Sequence, residues 1–402
     1  MIRWNYDSLK NILSSETLPA MVVNMDAIDF NLDIIEKYAL SFNKKIRIAT
    51  KSIRVPDIAL YILKKNPKVF QGLMCFSIFE AKFYFEKGIT DLLIGYPVVQ
   101  YQELVVLSEL INQGADIKIM LDHPDQFKII EDHWNKNGLK TKVKICLDID
   151  CSFQFFGIYA GVYRSSIKNL NSLKERLNLI KQSNYLNFNG LMAYEAQVAG
   201  LPDRNPYQSF LNFIKRWIRK KSMRLLAVKR AEIKKIVEEN GFHLSFFNGG
   251  GSGSLQMTLL EEAISEVTVG SGIFQAQLFD YYTTNEFSPA IAFALTITRN
   301  SDPHILTCQS GGFIASGMTS RDKTPKPFMP EGVELIEAEG MGEVQSPIKI
   351  SDNCKLKIGD MVFFRPAKSG EIAERFNEYL LIRNNKIEKK VLTYRGLNLN
   401  FF

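Results

Sequence analysis

The feature that most constrains this chain is an alternation. Short apolar runs rich in β-branched residues recur, and amphipathic stretches at helical spacing separate them. From residue 46 the runs are Ile46–Thr50, Gly72–Phe76, Leu92–Gly95, Ile117–Leu121, Val143–Ile149, Gly190–Ala193, Leu244–Asn248 and Glu266–Val269. Pro56–Lys65, Ile78–Lys87, Tyr101–Gln113, Pro124–Asn137, Asn169–Gln182 and the long Pro206–Glu239 read as helices. Strands separated by helices pair in parallel, because each helix carries the chain back along the sheet. Eight such units predict an α/β fold, a (β/α)8 barrel of the TIM type, and their span of about 230 residues suits it.

One more strand, Ala20–Asn24, and a helix, Ile28–Phe42, precede this array. From about Pro289 the pattern changes. Ala292–Thr298, Ile305–Gln309, Val333–Ala338, Met361–Phe364 and Glu378–Ile382 read as strands separated by turns, which predicts a compact C-terminal β domain. Thr319–Gly332 reads as a long loop.

Composition narrows the class. The 402 residues are 46% hydrophobic and 23% charged, which excludes disorder, collagen and coiled coil. The longest apolar run, Phe287–Ile297, falls short of the roughly 20 residues that span a bilayer and is broken by Pro289. The first residues lack the layout of a signal peptide, so a cytoplasmic protein without membrane partners is expected. The five cysteines are scattered without CxxC spacing and read as buried free thiols, not as disulfides or a zinc site. The net charge is +7, much of it in Lys215–Lys235. Apolar Phe213, Ile214, Trp217, Ile218, Leu225 and Leu226 recur there at helical spacing, so an amphipathic helix with a solvated basic face is expected, and no nucleic-acid partner.

Chemistry in such a barrel stands at the carboxyl ends of the strands. The first strand ends in Ala49-Thr50-Lys51-Ser52. A lysine there is either a solvated loop residue or a partly desolvated amine suited to forming an imine. The seventh strand runs into Asn248-Gly249-Gly250-Gly251-Ser252-Gly253-Ser254, and the eighth into Val269-Gly270-Ser271-Gly272. Such turns either allow close packing or expose successive backbone N–H groups to a phosphate. The arrangement is not a dinucleotide fingerprint. A strand-end lysine facing a phosphate cradle suits a phosphorylated aldehyde, and pyridoxal 5'-phosphate meets both requirements. A phosphate-sugar barrel is the reading that dispenses with the lysine.

Several segments carry a resemblance. Thr17-Leu18-Pro19-Ala20-Met21-Val22-Val23-Asn24, Arg47-Ile48-Ala49-Thr50-Lys51-Ser52, Gly190-Leu191-Met192-Ala193-Tyr194-Glu195, the two glycine loops and Phe364-Arg365-Pro366-Ala367-Lys368-Ser369-Gly370-Glu371 together resemble the fold-type III pyridoxal-phosphate enzymes. Within these the chain is most similar to the D-threonine aldolase and D-serine dehydratase branch, in the bacterial group called amino acid deaminase/aldolase, which shares its barrel with alanine racemase. The resemblance implies an alanine racemase-like organisation. Residues 1–19 would associate with the β domain, 20–285 would form the cofactor-binding barrel and 286–402 the β domain. It also implies roles. Lys51 would carry the cofactor as an aldimine and act as a base at the substrate Cα. Tyr194 would face the pyridine ring. Arg164, beyond an extra stretch at Cys151–Gly161, would contact the ring or its phenolic oxygen. Gly250, Gly251, Ser252, Gly253, Gly270 and Ser271 would hold the phosphate.

The branch also uses a divalent metal bound by His and by Asp or Cys late in the β domain. The corresponding Arg365–Glu371 stretch contains none of the three, so no metal site is expected. Lys368 would instead offer a cation near the substrate's oxygen or carboxylate, with Glu371 and Glu343 as the remaining carboxylates. The activity implied is a lyase acting on a D-β-hydroxy amino acid, by aldol cleavage or by dehydration. A racemase, for which Tyr379 and Tyr394 lie in the right half of the chain, and a non-catalytic cofactor-binding protein are the alternatives. The resemblance further implies a homodimer.

Overall fold

The computed structural model describes residues 2–155 and 158–402, so 156 and 157 of the expected extra stretch lie outside the described residues. Helices α1 (Tyr6–Ile12) and α2 (Met25–Ser41) flank strand β1 (Ala20–Asn24). The barrel strands are β2 (Lys45–Ala49), β3 (Phe70–Cys75), β4 (Asp91–Ile94), β5 (Asp116–Leu121), β6 (Val143–Asp148), β7 (Leu186–Ala193), β8 (Phe246–Gly249) and β9 (Glu266–Val269). Helices α3 (Pro56–Lys65), α4 (Ile78–Glu86), α5 (Tyr101–Asn112), α6 (Pro124–Lys136), α7 (Leu170–Gln182) and α8 (Asn212–Glu239) alternate with them. All eight strands pair in parallel with their sequence neighbours, and β9 closes on β2 with Val267 opposite Ile46.

Side chains alternate along each strand, and this sorts them between two environments. Ile46 and Ile48 of β2 point outward into the shell packed against the helices, and Ile145 and Leu147 of β6 do the same. The other parity fills the barrel. Low in the lumen Arg47 donates to both oxygens of Glu266 at 2.7 and 2.8 Å, and to Asp91 at 2.9 and 3.2 Å. Lys118 reaches Asp91 at 2.8 Å. Burial opposes Arg47's charge, but Glu266 and Asp91 outweigh it and hold its pKa above the ordinary arginine value. Above this layer Leu93, Met120, Cys146, Met192 and Phe246 form an apolar floor, with Met74 and Tyr194 against it.

The β domain comprises β10 (Ile291–Asp302), β11 (Ile305–Gln309), β12 (Lys326–Met329), β13 (Val333–Leu335), β14 (Gln345–Ile350), β15 (Met361–Arg365), β16 (Glu378–Arg383) and β17 (Lys386–Leu392). One correction concerns its boundary. Ala20–Asn24 does not enter the barrel. It lies between β10, antiparallel with Val22 opposite Ala292, and β16, parallel with Val22 opposite Leu380. A five-residue run buried at its centre fits a β-domain sheet as readily as a barrel, and here the β-domain sheet takes it. Thr319–Gly332 is also not wholly loop, because Lys326–Met329 pairs with β15.

The basic helix is oriented differently from the expectation. Lys215, Arg219 and Arg230 are buried, whereas Phe213 and Val228 are 74% and 70% exposed. The inner face meets acceptors. Arg219 donates to the carbonyls of Leu201 (3.0 Å) and Gly253 (2.9 Å), and Lys229 donates to that of Asp150 (2.6 Å). Three cations therefore share the inner face with Met223, Leu226, Ile233 and Val237, while Arg216, Lys220, Arg224 and Lys235 stay exposed as expected. All five cysteines are free and buried. Among the described residues no helix is long and apolar enough to cross a membrane.

Candidate active site

The inward parity that builds the lumen continues past the strand ends and places side chains at the barrel mouth. Arg47 and Ala49 lead to Lys51, Met120 to Asp122, Cys146 to Asp148, and Met192 to Tyr194. Lys51, Asp122, Asp148, Arg164, Tyr194, Gly250, Gly251, Ser252, Gly253, Gly270 and Ser271 all line one cavity of about 1250 Å³. The sequence-selected residues are thus brought together.

Lys51 sits on a single 3-10 turn, Thr50–Ser52, at the end of β2. Among the described residues nothing hydrogen-bonds or ion-pairs with its ammonium, which is exposed to the cavity. The turn itself is fixed from below. Thr50 Oγ1 donates to Glu80 at 2.7 Å, and Tyr394 and the Phe76 N–H donate to the same carboxyl at 2.6 and 2.8 Å. Burial is the largest influence on Glu80 and pushes it up to about 7, despite these bonds.

The cradle opposite depends on the absence of side chains. A Cβ at Gly253 would lie 2.4 Å from the Ala199 carbonyl oxygen, and one at Gly251 3.3 Å from Tyr194. Gly250 has φ +76, a left-handed conformation that favours glycine. Three of the expected donors, Gly250, Gly251 and Gly270, are already engaged. The Gly250 N–H donates to Glu195 at 3.0 Å, and that of Gly251 to Ser254 Oγ at 3.1 Å. Ser252 Oγ ties the loops together by accepting from the N–H groups of Gly272 (2.9 Å) and Gly270 (3.4 Å). The N–H groups of Ser252, Gly253 and Ser271 have no protein acceptor among the described residues. They are the donors left for an anion, so the residues present fit a phosphate group.

The cradle rests on a buried ion pair that the sequence reading did not single out. Glu195 accepts from Arg230, from Ser254 Oγ at 2.7 Å and from Thr258, besides Gly250. Burial opposes its charge, but Arg230 and these bonds outweigh that and hold its pKa below the ordinary glutamate value. Arg230 also donates to Glu261 at 2.6 Å and to the Ala193 carbonyl.

Tyr194 is raised to about 12, mainly by burial, with Arg164 acting in the opposite direction. Asp148 was also missed, although it stands at a strand end as Lys51 does. Its carboxyl accepts no hydrogen bond among the described residues, and burial, then Asp122, push it up to about 7, opposed by Arg164. Strands β2 and β6 are four apart around the closed eight, so Lys51 and Asp148 face each other across the mouth.

The β domain supplies the far wall. Lys368 and Glu371 line the cavity, 3.7 Å apart. A divalent cation there would meet an ammonium, so this stretch does not fit a metal. Glu343 does not line the cavity. Tyr379 and Tyr394 are buried outside it.

No protein-family model and no curated protein matches the sequence. Solved structures match along nearly the whole chain. D-threonine aldolase from Filomicrobium marinum superposes with a TM-score of 0.78 at 19% identity, covering 94% of this chain and 95% of that one. D-threo-3-hydroxyaspartate dehydratase from Delftia sp. HT23 gives 0.72 at 14% identity, with coverages of 95% and 98%. An alanine racemase-like protein from Idiomarina loihiensis gives 0.74 at 17% identity, with coverages of 96% and 98%. The fold is therefore an alanine racemase-like TIM barrel with a C-terminal β domain.

Proposed function

We propose that this chain is a pyridoxal-phosphate-dependent lyase acting on a D-configured β-hydroxy amino acid, by aldol cleavage or by dehydration. The observation that carries the reading is a single cavity holding a strand-end lysine and three backbone N–H groups that have no partner among the described residues. The similarity of the fold to an aldolase and a dehydratase supports it.

When bound, the cofactor supplies an electron sink at the substrate Cα. The protein does the rest. Ser252, Gly253 and Ser271 would hold the phosphate through their N–H groups, and the Gly251 and Gly253 backbone would admit it closely. The apolar floor of Met120, Cys146 and Met192 would exclude water from that side of the cofactor. Tyr194 would stand against the ring, and Arg164 would offer it a cation. Lys51, with no ion pair to restrain it, binds the cofactor and then moves a proton at the substrate Cα. Which bond breaks depends on which one the walls hold perpendicular to the ring. The homodimer belongs to this proposal. The racemase alternative needs a second acid–base group, and neither Tyr379 nor Tyr394 reaches the cavity of its own chain.

The test is chemical. Protein incubated with pyridoxal phosphate and reduced with borohydride should carry the cofactor on the Lys51 peptide, identified by its mass, and Lys51→Ala should not. Assays for aldehyde and keto acid from D-threonine and D-serine then separate the two cleavages. Failure to label Lys51 would remove the reading.

A further inference from the structure

The β-domain wall carries charge that the proposed function has not used. Segment Ser369–Gly370 is packed against the turn that bears Lys51. Ser369 Oγ donates to the Ser52 carbonyl at 2.8 Å, and a Cβ at Gly370 would fall 2.0 Å from the Lys51 carbonyl oxygen. The neighbouring Lys368 is thereby held beside that turn. Its ammonium donates to Ser316 O at 2.7 Å and to Ser316 Oγ at 3.0 Å, and the Ser316 N–H donates to Glu371 at 2.9 Å. The adjacent Ala315 N–H donates to the Lys323 carbonyl at 2.9 Å. One segment, Ala315–Ser316, thus anchors two lysines, and both line the cavity.

Apart from Lys51 itself, the other charged groups on the cavity wall are matched. Arg54 pairs with Glu374 at 2.9 Å. Lys215 interacts electrostatically with Asp322, which also accepts from Asn205 at 2.9 Å. Arg164 interacts with Asp148, which has Asp122 nearby. Lys368 has Glu371. Lys323 has no hydrogen-bond or ion-pair partner for its ammonium among the described residues. With Lys51 set aside for the cofactor, the wall beside it keeps one uncompensated positive charge among the described residues, enough to balance one carboxylate.

We propose that Lys323 and Lys368 form a carboxylate subsite on the β-domain wall, which orients the substrate's carboxylate beside the Lys51 turn and selects acids over neutral amines. This deepens the amino-acid reading and rests on it. An ammonium with two donors fixed on Ser316 keeps its third in a set direction, and Lys323 supplies the net charge.

The probe is 3-hydroxybutyrate, which has the carboxylate and β-hydroxyl but no amine to condense with a carbonyl. Its binding to the cofactor-loaded protein is followed by calorimetry, with 1,3-butanediol as the neutral control. Lys323→Met and Lys368→Met should each weaken it about ten-fold, and Lys323→Arg and Lys368→Arg should restore most of the affinity. Far-UV circular dichroism and the borohydride adduct at Lys51 report that the variants remain folded and loaded. Unchanged affinity in both methionine variants, or equal binding of the diol, would overturn the subsite. Were Lys51 never labelled, the lyase reading would fail by itself, because the same titration on cofactor-free protein still reads the two lysines.

Discussion

Replacing Arg230 with methionine tests whether the glycine loops owe their shape to the ion pair beneath them. Arg230 is fully buried and donates to Glu195, Glu261 and the Ala193 carbonyl. Methionine fills much of the volume but leaves all three acceptors without that donor. Each lost bond to a charged partner costs about 1.5–3 kcal/mol before relaxation. Part of this is recovered by protonation, because burial already holds Glu261 near a pKa of about 7. Breaking a buried pair by removing one partner costs about 3–5 kcal/mol, and that is the expected loss at pH 8. The sign of the pH dependence follows. In the parent Glu195 is held below its ordinary value, so its contribution is present at neutral pH and is lost as pH falls through the folded value. Without Arg230 only the Thr258, Ser254 and Gly250 bonds oppose burial at Glu195, both carboxyls shift toward the protonated form, and the penalty shrinks toward pH 5. Urea denaturation across this range measures it, and cofactor titration should show weakened binding because Gly250 hangs from the same carboxylate. Adding Glu195→Gln should recover part of the loss. A penalty below about 1 kcal/mol, or one that does not vary with pH, would refute the argument.

Three further outcomes are expected. Gly251→Glu should weaken cofactor binding by well over ten-fold in a fluorescence titration, since a carboxylate about 4 Å from a phosphate costs about 4 kcal/mol per pair of unit charges near a protein surface. Ser252→Ala removes the hydroxyl that accepts from Gly270 and Gly272, and should weaken binding several-fold, about 1 kcal/mol, without changing the borohydride adduct. Asp148 has a folded pKa of about 7, above its ordinary value, so its protonated form favours the folded state. Stability should fall as pH rises from the ordinary aspartate range through about 7, and Asp148→Asn should flatten that part of the denaturation profile.

The barrel was legible because its strands are buried on both sides and its helices are amphipathic, so the alternation survives in one dimension. Lys51 and the two glycine loops were legible for a related reason: a barrel puts function at strand ends, and the ends can be read. What escaped depends on partners distant in sequence. Arg219 and Arg230 look like surface charges until the Gly253 carbonyl and Glu195 are brought beneath them. Gly250 looks like a phosphate donor until Glu195 claims its N–H. Strand β17, with Lys386, Lys389 and Lys390, and β12, with Pro327, lie at sheet edges where polar residues and proline are tolerated, so neither shows an apolar run. Asp148 was readable by the rule that found Lys51, but an aspartate after a strand is too common to stand out.

The placement of β1 also bears on how the molecule is made. Its five residues leave the ribosome long before their two hydrogen-bonding neighbours, β10 and β16, which start only at Ile291 and Glu378. At about 5–20 residues per second the segment waits on the order of tens of seconds, apolar and without a sheet, while the barrel forms behind it. The finished molecule is then closed like a clasp. The barrel is joined to the same sheet through β1 at its beginning and β10 at its end, so the wall that bears Lys323 and Lys368 is held from both sides and has little freedom to swing away from Lys51.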